Sequence, residues 1–558
     1  MTRVTQISGA PGAGKTHTLT NKLREEKRNG LTPDGFWWLT FTRAGRDDVE
    51  PELASVYPDA EDIEDNARTL HSLALSLVTR EGLLDMDVDA ESPGPIIVPG
   101  GYGEDETDPF AVFCDERGMR YDPDAADPRT LLAGEEATDY PGNKLFAIND
   151  FLRQTAKPPE KWRCAPVDIE IPGSRVEALL EEWDEFKRNR FDYRLYEHGD
   201  YVALAIEERL TPAVDVLLVD EFQDFAPLEY RLYKQWRDAG HMDRIYVAGD
   251  ANQSIYSFRG GTPYYFENTD VDEVIDLKES YRCPKEIASV GNAVLSSHPE
   301  TEPRGFSGRE HGGSVEWQSI RGKYDLHDAV VDAAGESDSS GASVMLLTRT
   351  NGQLRGLTND LRQAGIPFSV LGTYGGVWRG ELEQMLEFLN NYQSADAAGF
   401  AHQNVRAVLK ALPDAKERRN RLGTRLGGFM DADAIEPAFQ DFDSTTDIVA
   451  RLQVSSWKRD VLKNAVDAPA SLSPGDVKVG TVHTAKGLEA PSVILFTTSS
   501  KRTVREYGRD EDAAAEEHRV YYVGATRASE SLYLVSDYFD GPTAPPIQKV
   551  RRHGEVVA

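Results

Sequence analysis

Cysteine is scarce in this chain: three residues, Cys114, Cys164 and Cys283, lie far apart among 558. That scarcity excludes a disulfide framework and offers no thiolate cluster for a structural metal. A reducing, cytoplasmic setting is the expectation. Long apolar runs are missing too. No stretch approaches the roughly 20 apolar residues of a membrane span, so no membrane partner is expected. The opening MTRVTQISGA runs straight into a glycine-rich loop and leaves no room for a signal peptide. Internal repeats and low-complexity tracts are absent. Lysine is thin: 19 of the 62 basic residues are lysines, against 94 acids, for a formal net charge of −32. The acids form no long block, which disfavours a disordered acidic tail. Acid surplus spread along the whole chain fits a surface working in concentrated salt, where a Debye length of about 3 Å quiets self-repulsion. Such acidity opposes DNA binding only at low salt.

Against these absences stands one stretch of dense chemistry. VTQIS reads as a short apolar strand, and GAPGAGKT (9–16) follows it with a turn and the start of a helix. Gly9, Gly14, Lys15 and Thr16 fit G-x-x-x-x-G-K-[ST], the phosphate-binding loop. Ala10, Pro11, Gly12 and Ala13 fill its bend. Glycines let the backbone curl so that successive N–H groups point at phosphate oxygens, and the helix adds its positive end. Lys15 reaches the β/γ-phosphates, and the Thr16 hydroxyl suits Mg²⁺.

Strand and helix patterns alternate around this loop, which indicates parallel α/β sheets. A helix is expected over 18–28, then a strand FWWLTFT ending at Thr42, then a turn and amphipathic helix over 66–79. From 81 to 200 the pattern breaks into Pro, Gly and acid with helical pieces, the expected insertion into a first α/β domain of residues 1–80 and 201–285. Strands are expected at 214–220, 244–250 and 274–277. Residues 286–311 read as a polar connection. A second α/β domain spans 286–375 and 472–540, with strands at 343–349, 367–372, 476–484, 492–498 and 531–536. A reduced helical insertion covers 376–471, and 541–558 reads as a loose tail.

VDEFQD (219–224) puts two carboxylates where a buried strand meets a loop. Phosphoanhydride hydrolysis needs Mg²⁺, which favours hard oxygens, and a group that orients water. Asp220 suits the metal and Glu221 the water. At these residues the chain resembles the UvrD/Rep/PcrA family of superfamily 1 DNA helicases. Further segments follow in that family's order: TFTRAG (40–45), ARTLHSL (67–73), VAGDANQSIYSFRG (247–260), ESYRCP (279–284), TVHTAKGLE (481–489) and YYVGATRA (521–528).

The resemblance implies two RecA-like P-loop domains with parallel sheets, each carrying a mainly helical insertion. It implies an ATP-dependent 3′→5′ helicase and single-strand translocase acting in repair, recombination or replication, with single-stranded and duplex DNA as partners and ATP and Mg²⁺ as cofactors. By resemblance, Phe41, Thr42, Thr69, His71, Tyr256, Phe258, His483 and Thr484 face DNA. Gln253 senses the γ-phosphate, Tyr281 packs on adenine, Glu489 meets the ribose, and Gly487 belongs to the ATP-binding set. Arg282 and Arg527 meet the transferring phosphoryl, where charge spreads over the oxygens. Relatives often carry Arg directly after the loop threonine, where this chain has His17. Two other readings stay open at this point: a translocase that strips single strands without unwinding, and a non-enzymatic DNA-binding scaffold.

Overall fold

The computed structural model describes residues 2–84, 96–99, 107–123, 128–132, 138–301, 305–310, 312–335, 344–372, 380–393, 399–422, 429–467, 472 and 475–552. The chain divides into two compact units. The first holds Met1–Arg282, His298–Arg309 and Ala515–Val520; the second holds the rest. Among the described residues no helix is long and apolar enough to cross a membrane.

The first unit is built on strands β1 (Arg3–Gly9), β2 (Phe36–Thr40), β3 (Ala67–Thr69), β4 (Val216–Val219), β5 (Arg244–Gly249) and β6 (Glu273–Leu277). They form one sheet in the order β3-β2-β4-β5-β1-β6, parallel throughout. Central strands such as VLLV are apolar at every position because helices cover both faces. Alternation sorts their side chains: Trp38, Leu218 and Tyr246 pack with Leu19, Leu23 and Leu53 on one face. Leu39, Leu217, Val219 and Val247 pack with Leu232 and Trp236 on the other. Parallel register brings the carboxyl ends of β1, β4 and β5 to one edge, the usual place for ligands in such sheets.

The first insertion has a core of its own, built on Pro109–Glu116, Pro141–Gln154 and Gly173–Asn189 around the fully buried Trp183. The helix His198–Glu207 opens on Glu197, where Asp200 accepts the Glu197 N–H, so it starts before the expected boundary at 200. A buried ionic cluster sits at this junction. Lys187 Nζ lies 2.6 Å from Glu197 and 2.5 Å from Asp200, and Arg153 pairs with Asp200 at 3.0 Å. Trp183 Nε1 also donates to Glu197.

The described part of residues 286–311 is not the expected polar connection. Strand β7 (Glu279–Pro284) leads into the helix Lys285–Ser296, which buries Ile287, Val290 and Val294, and β7 then pairs with β8 (Ser307–Arg309). The division between units therefore falls after Arg282, with 298–309 returning to the first.

The second unit carries β9 (Ser314–Gln318), β10 (Val344–Thr348), β11 (Ser369–Val370), a small antiparallel pair β12 (Phe400–Ala401) and β13 (Phe429–Met430), then β14 (Val477–Thr481), β15 (Ala490–Phe496) and β16 (Ala528–Val535). Its main sheet runs β11-β14-β10-β15-β16-β9, again all parallel. The edge strand β9 has no counterpart in the expected elements. Unlike the first insertion, the second shares one continuous core with its sheet: Phe388, Val408, Phe439 and Leu462 belong to the same cluster as Leu346, Val479 and Phe496. The expected loose tail is also corrected. Pro545–Arg552 is a helix, Ala544 and Ile547 are fully buried, and the Ala544 N–H donates to the Thr497 carbonyl. Residues 553–558 lie outside the described residues.

Candidate nucleotide and nucleic-acid sites

Between β1 and the helix Lys15–Arg28 the loop turns on Gly12 and Gly14, at φ 68° and 81°. Both angles are left-handed, where a Cβ is strained. Gly12 has a second reason to be glycine: a Cβ there would lie 2.3 Å from Arg282 Cβ. The segment Glu279–Arg282 is laid against the loop, the Ser280 hydroxyl donating to the Pro11 carbonyl (2.6 Å) and the Tyr281 N–H to that of Gly12 (2.9 Å). Tyr281 itself is 74% exposed, an open ring beside the loop. The helix begins without a side-chain cap, leaving its first N–H groups for an anion. Lys15, only 8% exposed, donates to the carbonyls of Gly9 (3.0 Å) and Ala10 (3.3 Å).

β4 delivers the acids. The Asp220 N–H donates to the Leu39 carbonyl, and Asp220 Oδ2 accepts the Thr16 hydroxyl at 3.0 Å. Burial and then the Glu221 charge push Asp220 up to about 6, against the pull of Lys15. A hydroxyl and a crowded carboxylate meeting this way form a hard-oxygen pair that fits Mg²⁺. Glu221 stands in the left-handed region at φ 56°, uncommon for a residue with a side chain. Gln223, fully buried, donates to Glu221 Oε2 at 2.5 Å and accepts the Asp250 N–H at 3.1 Å. Its place in VDEFQD was visible in the sequence, but no signal there assigned it a partner. The buried Gln253 donates to Asp250 Oδ2 at 2.9 Å.

The expected DNA-facing residues divide. Phe41 stacks on Tyr256 with centroids 5.4 Å apart, Phe258 meets Tyr256 edge-on, and Arg259 lies over the Phe41 ring. Phe258 also packs against the core of the first insertion. Thr42 and Thr69 act as helix caps, accepting the N–H groups of Gly45 and Ser72. His71 Nδ1 lies 3.4 Å from Glu229, a carboxyl that burial pushes above its ordinary value.

In the second unit, Gly487 turns at φ 85° and Glu489 is exposed. His483 is buried, whereas Thr484 is exposed and donates its hydroxyl to the Thr481 carbonyl. Arg527 is 1% exposed and donates to the carbonyls of Val523 and Leu488, both at 3.1 Å. That pairing ties the YYVGATRA and TVHTAKGLE segments together and holds the guanidinium inside its own unit.

Residues 1–259 match the family model of an AAA domain, and residues 438–537 match that of the UvrD-like helicase C-terminal domain. The chain is 28% identical to ATP-dependent DNA helicase UvrD2 of Mycobacterium tuberculosis over 66% of its own length, and spans 55% of that relative. It is 22% identical to ATP-dependent DNA helicase PcrA of Leuconostoc citreum over 95% of this chain and 80% of that protein. PcrA of Staphylococcus aureus matches with the same identity and coverage.

Proposed function

We propose that the chain is a UvrD/Rep/PcrA-type superfamily 1 helicase, an ATP-driven DNA helicase that translocates 3′→5′ along single strands. The observation that carries this reading is the Thr16–Asp220 hydrogen bond, with Glu221 next in the chain and Lys15 beside it. Thr16 and Asp220 would hold Mg²⁺, which neutralises charge on the phosphates when bound. Loop N–H groups and Lys15 grip the phosphates, and Tyr281 offers its exposed ring to the adenine. Glu221 orients the attacking water and accepts its proton. Gln253 reads the γ-phosphate, Glu489 meets the ribose, Gly487 belongs to the ATP-binding set, and Arg282 supplies positive charge as the phosphoryl transfers. By the family resemblance Arg527 would supply a second positive charge.

On the DNA side, Phe41 and Tyr256 offer rings to successive bases, with Phe258 bracing Tyr256. His71 in the first unit and His483 and Thr484 in the second would contact DNA, while Thr42 and Thr69 cap helices. Repair, recombination or replication would be the setting, in a salt-rich cytoplasm. The test is to measure DNA-stimulated ATPase and strand separation side by side in molar KCl, on single-stranded and 3′-tailed duplex DNA. The expected result is stimulation by both substrates and unwinding of the tailed duplex. ATPase without strand separation would reduce the protein to a translocase, and turnover indifferent to DNA would overturn the reading.

A further inference from the structure

The proposed roles give Glu221 to the water and Gln253, in the Asp250–Gln253 turn, to the γ-phosphate, and leave the side chain between them unassigned. Gln223 has no solvent exposure. Its amide orientation is fixed by its partners: Glu221 Oε2 can only accept, so Nε2 faces it, and the Asp250 N–H can only donate, so Oε1 faces that. Nε2 also lies 3.4 Å from Asp224 Oδ2. Room for this bridge depends on Gly249, where a Cβ would stand 2.5 Å from Gln223 Oε1. Beyond the bridge, Asp250 organises its own turn. Its Oδ1 accepts the Asn252 N–H, its Oδ2 accepts Gln253 Nε2, and its carbonyl accepts the Gln253 N–H. The same chain runs on through Ser254 to Tyr256, stacked on Phe41.

We propose that Gln223 is a positioning residue that sets the Glu221 carboxylate according to the position of the Asp250–Gln253 turn, so that DNA held at Tyr256 acts on hydrolysis through this amide. Glu221 stands on a left-handed backbone, and the donated N–H holds its carboxylate on one side. A shift of the Asp250 N–H pulls on Oε1, and the rigid amide passes that shift to Nε2 and to Glu221. The inference rests on the ATPase reading above and deepens it.

The experiment uses the full chain in molar KCl. Gln223→Met keeps the side-chain length and removes both hydrogen bonds. Gln223→Glu keeps the acceptor for the Asp250 N–H and removes the donor to Glu221; it is the variant to read if Gln223→Met does not fold. Each is compared with wild type for turnover without DNA, turnover at saturating single strand, nucleotide affinity and single-strand affinity. The expected result is a DNA-saturated kcat lowered at least tenfold and a ratio of DNA-saturated to DNA-free turnover lowered at least fivefold. Both affinities should stay within about twofold. A stimulation ratio equal to wild type in a folded variant overturns the proposal, whether or not kcat falls. Wild type without DNA-stimulated ATPase would instead overturn the function on which it rests.

Discussion

The roles proposed for Glu221 and Lys15 make separable demands on the same site. Glu221→Gln keeps the shape of the side chain and removes the proton acceptor, so turnover should fall by about 10²-fold or more, the range for losing a general base. ATP affinity should stay near wild type, read by equilibrium binding of a fluorescent nucleotide. Lys15→Ala removes the charge proposed to meet the phosphates. Nucleotide affinity and hydrolysis should then both collapse, while nucleotide-free single-strand binding, measured by anisotropy, persists because Phe41 and Tyr256 do not depend on Lys15. At this scale fixed spacing around GKT and DE singled out Lys15, Thr16, Asp220 and Glu221 in the sequence, and the fold brings Thr16 and Asp220 within a hydrogen bond. The sequence did not disclose that Thr42 and Thr69 cap helices or that Arg527 bonds carbonyls of its own unit. Those roles depend on φ/ψ and on partners distant in the chain, and no residue type announces them.

Elements were legible where apolar periodicity was strong and hidden where it was not. VLLV and RIYVAG declare buried strands by composition. The three residues of β3 and the half-polar edge strand β9 do not, because sheet neighbours rather than their own side chains hold them in place. The helix Pro545–Arg552 opens on the last two residues of GPTAPP (541–546), whose turn-forming residues mask the period of what comes next. The ionic cluster at the end of the first insertion gives an element-scale prediction. Burial works to raise Asp200, but Lys187 and Arg153 outweigh it and hold the carboxyl below its ordinary value. A carboxyl so depressed stabilises the fold above its unfolded value near 4, and that contribution is lost as pH falls through the folded value. Thermal midpoints of wild type should therefore drop more steeply below about pH 4 than those of Asp200→Asn. Equal slopes would remove the cluster from the acid response.

For the whole molecule the charge of −32 sets the conditions of work. The proposed DNA partner is a polyanion facing an acidic protein, so on that proposal screening and stacking would carry much of the grip. Base stacking contributes about 1–3 kcal/mol per base and loses little to salt. Single-strand affinity should hold or rise between low salt and molar KCl, and Tyr256→Ala should weaken it more than neutralising any one exposed arginine. A salt titration of both proteins by anisotropy decides this. A steep loss of wild-type affinity above a few hundred millimolar would rule out the salt-adapted surface. The strand order also has a consequence for synthesis. β1 leads into the phosphate loop and is made well before its sheet partners among the described residues, β5 and β6, which end at Gly249 and Leu277. The separately cored first insertion can collapse in the meantime, since domains fold as units while the chain emerges. A nascent chain halted before Arg244 would hold a folded insertion and a complete loop sequence, with β1 still unpaired and no place for a nucleotide.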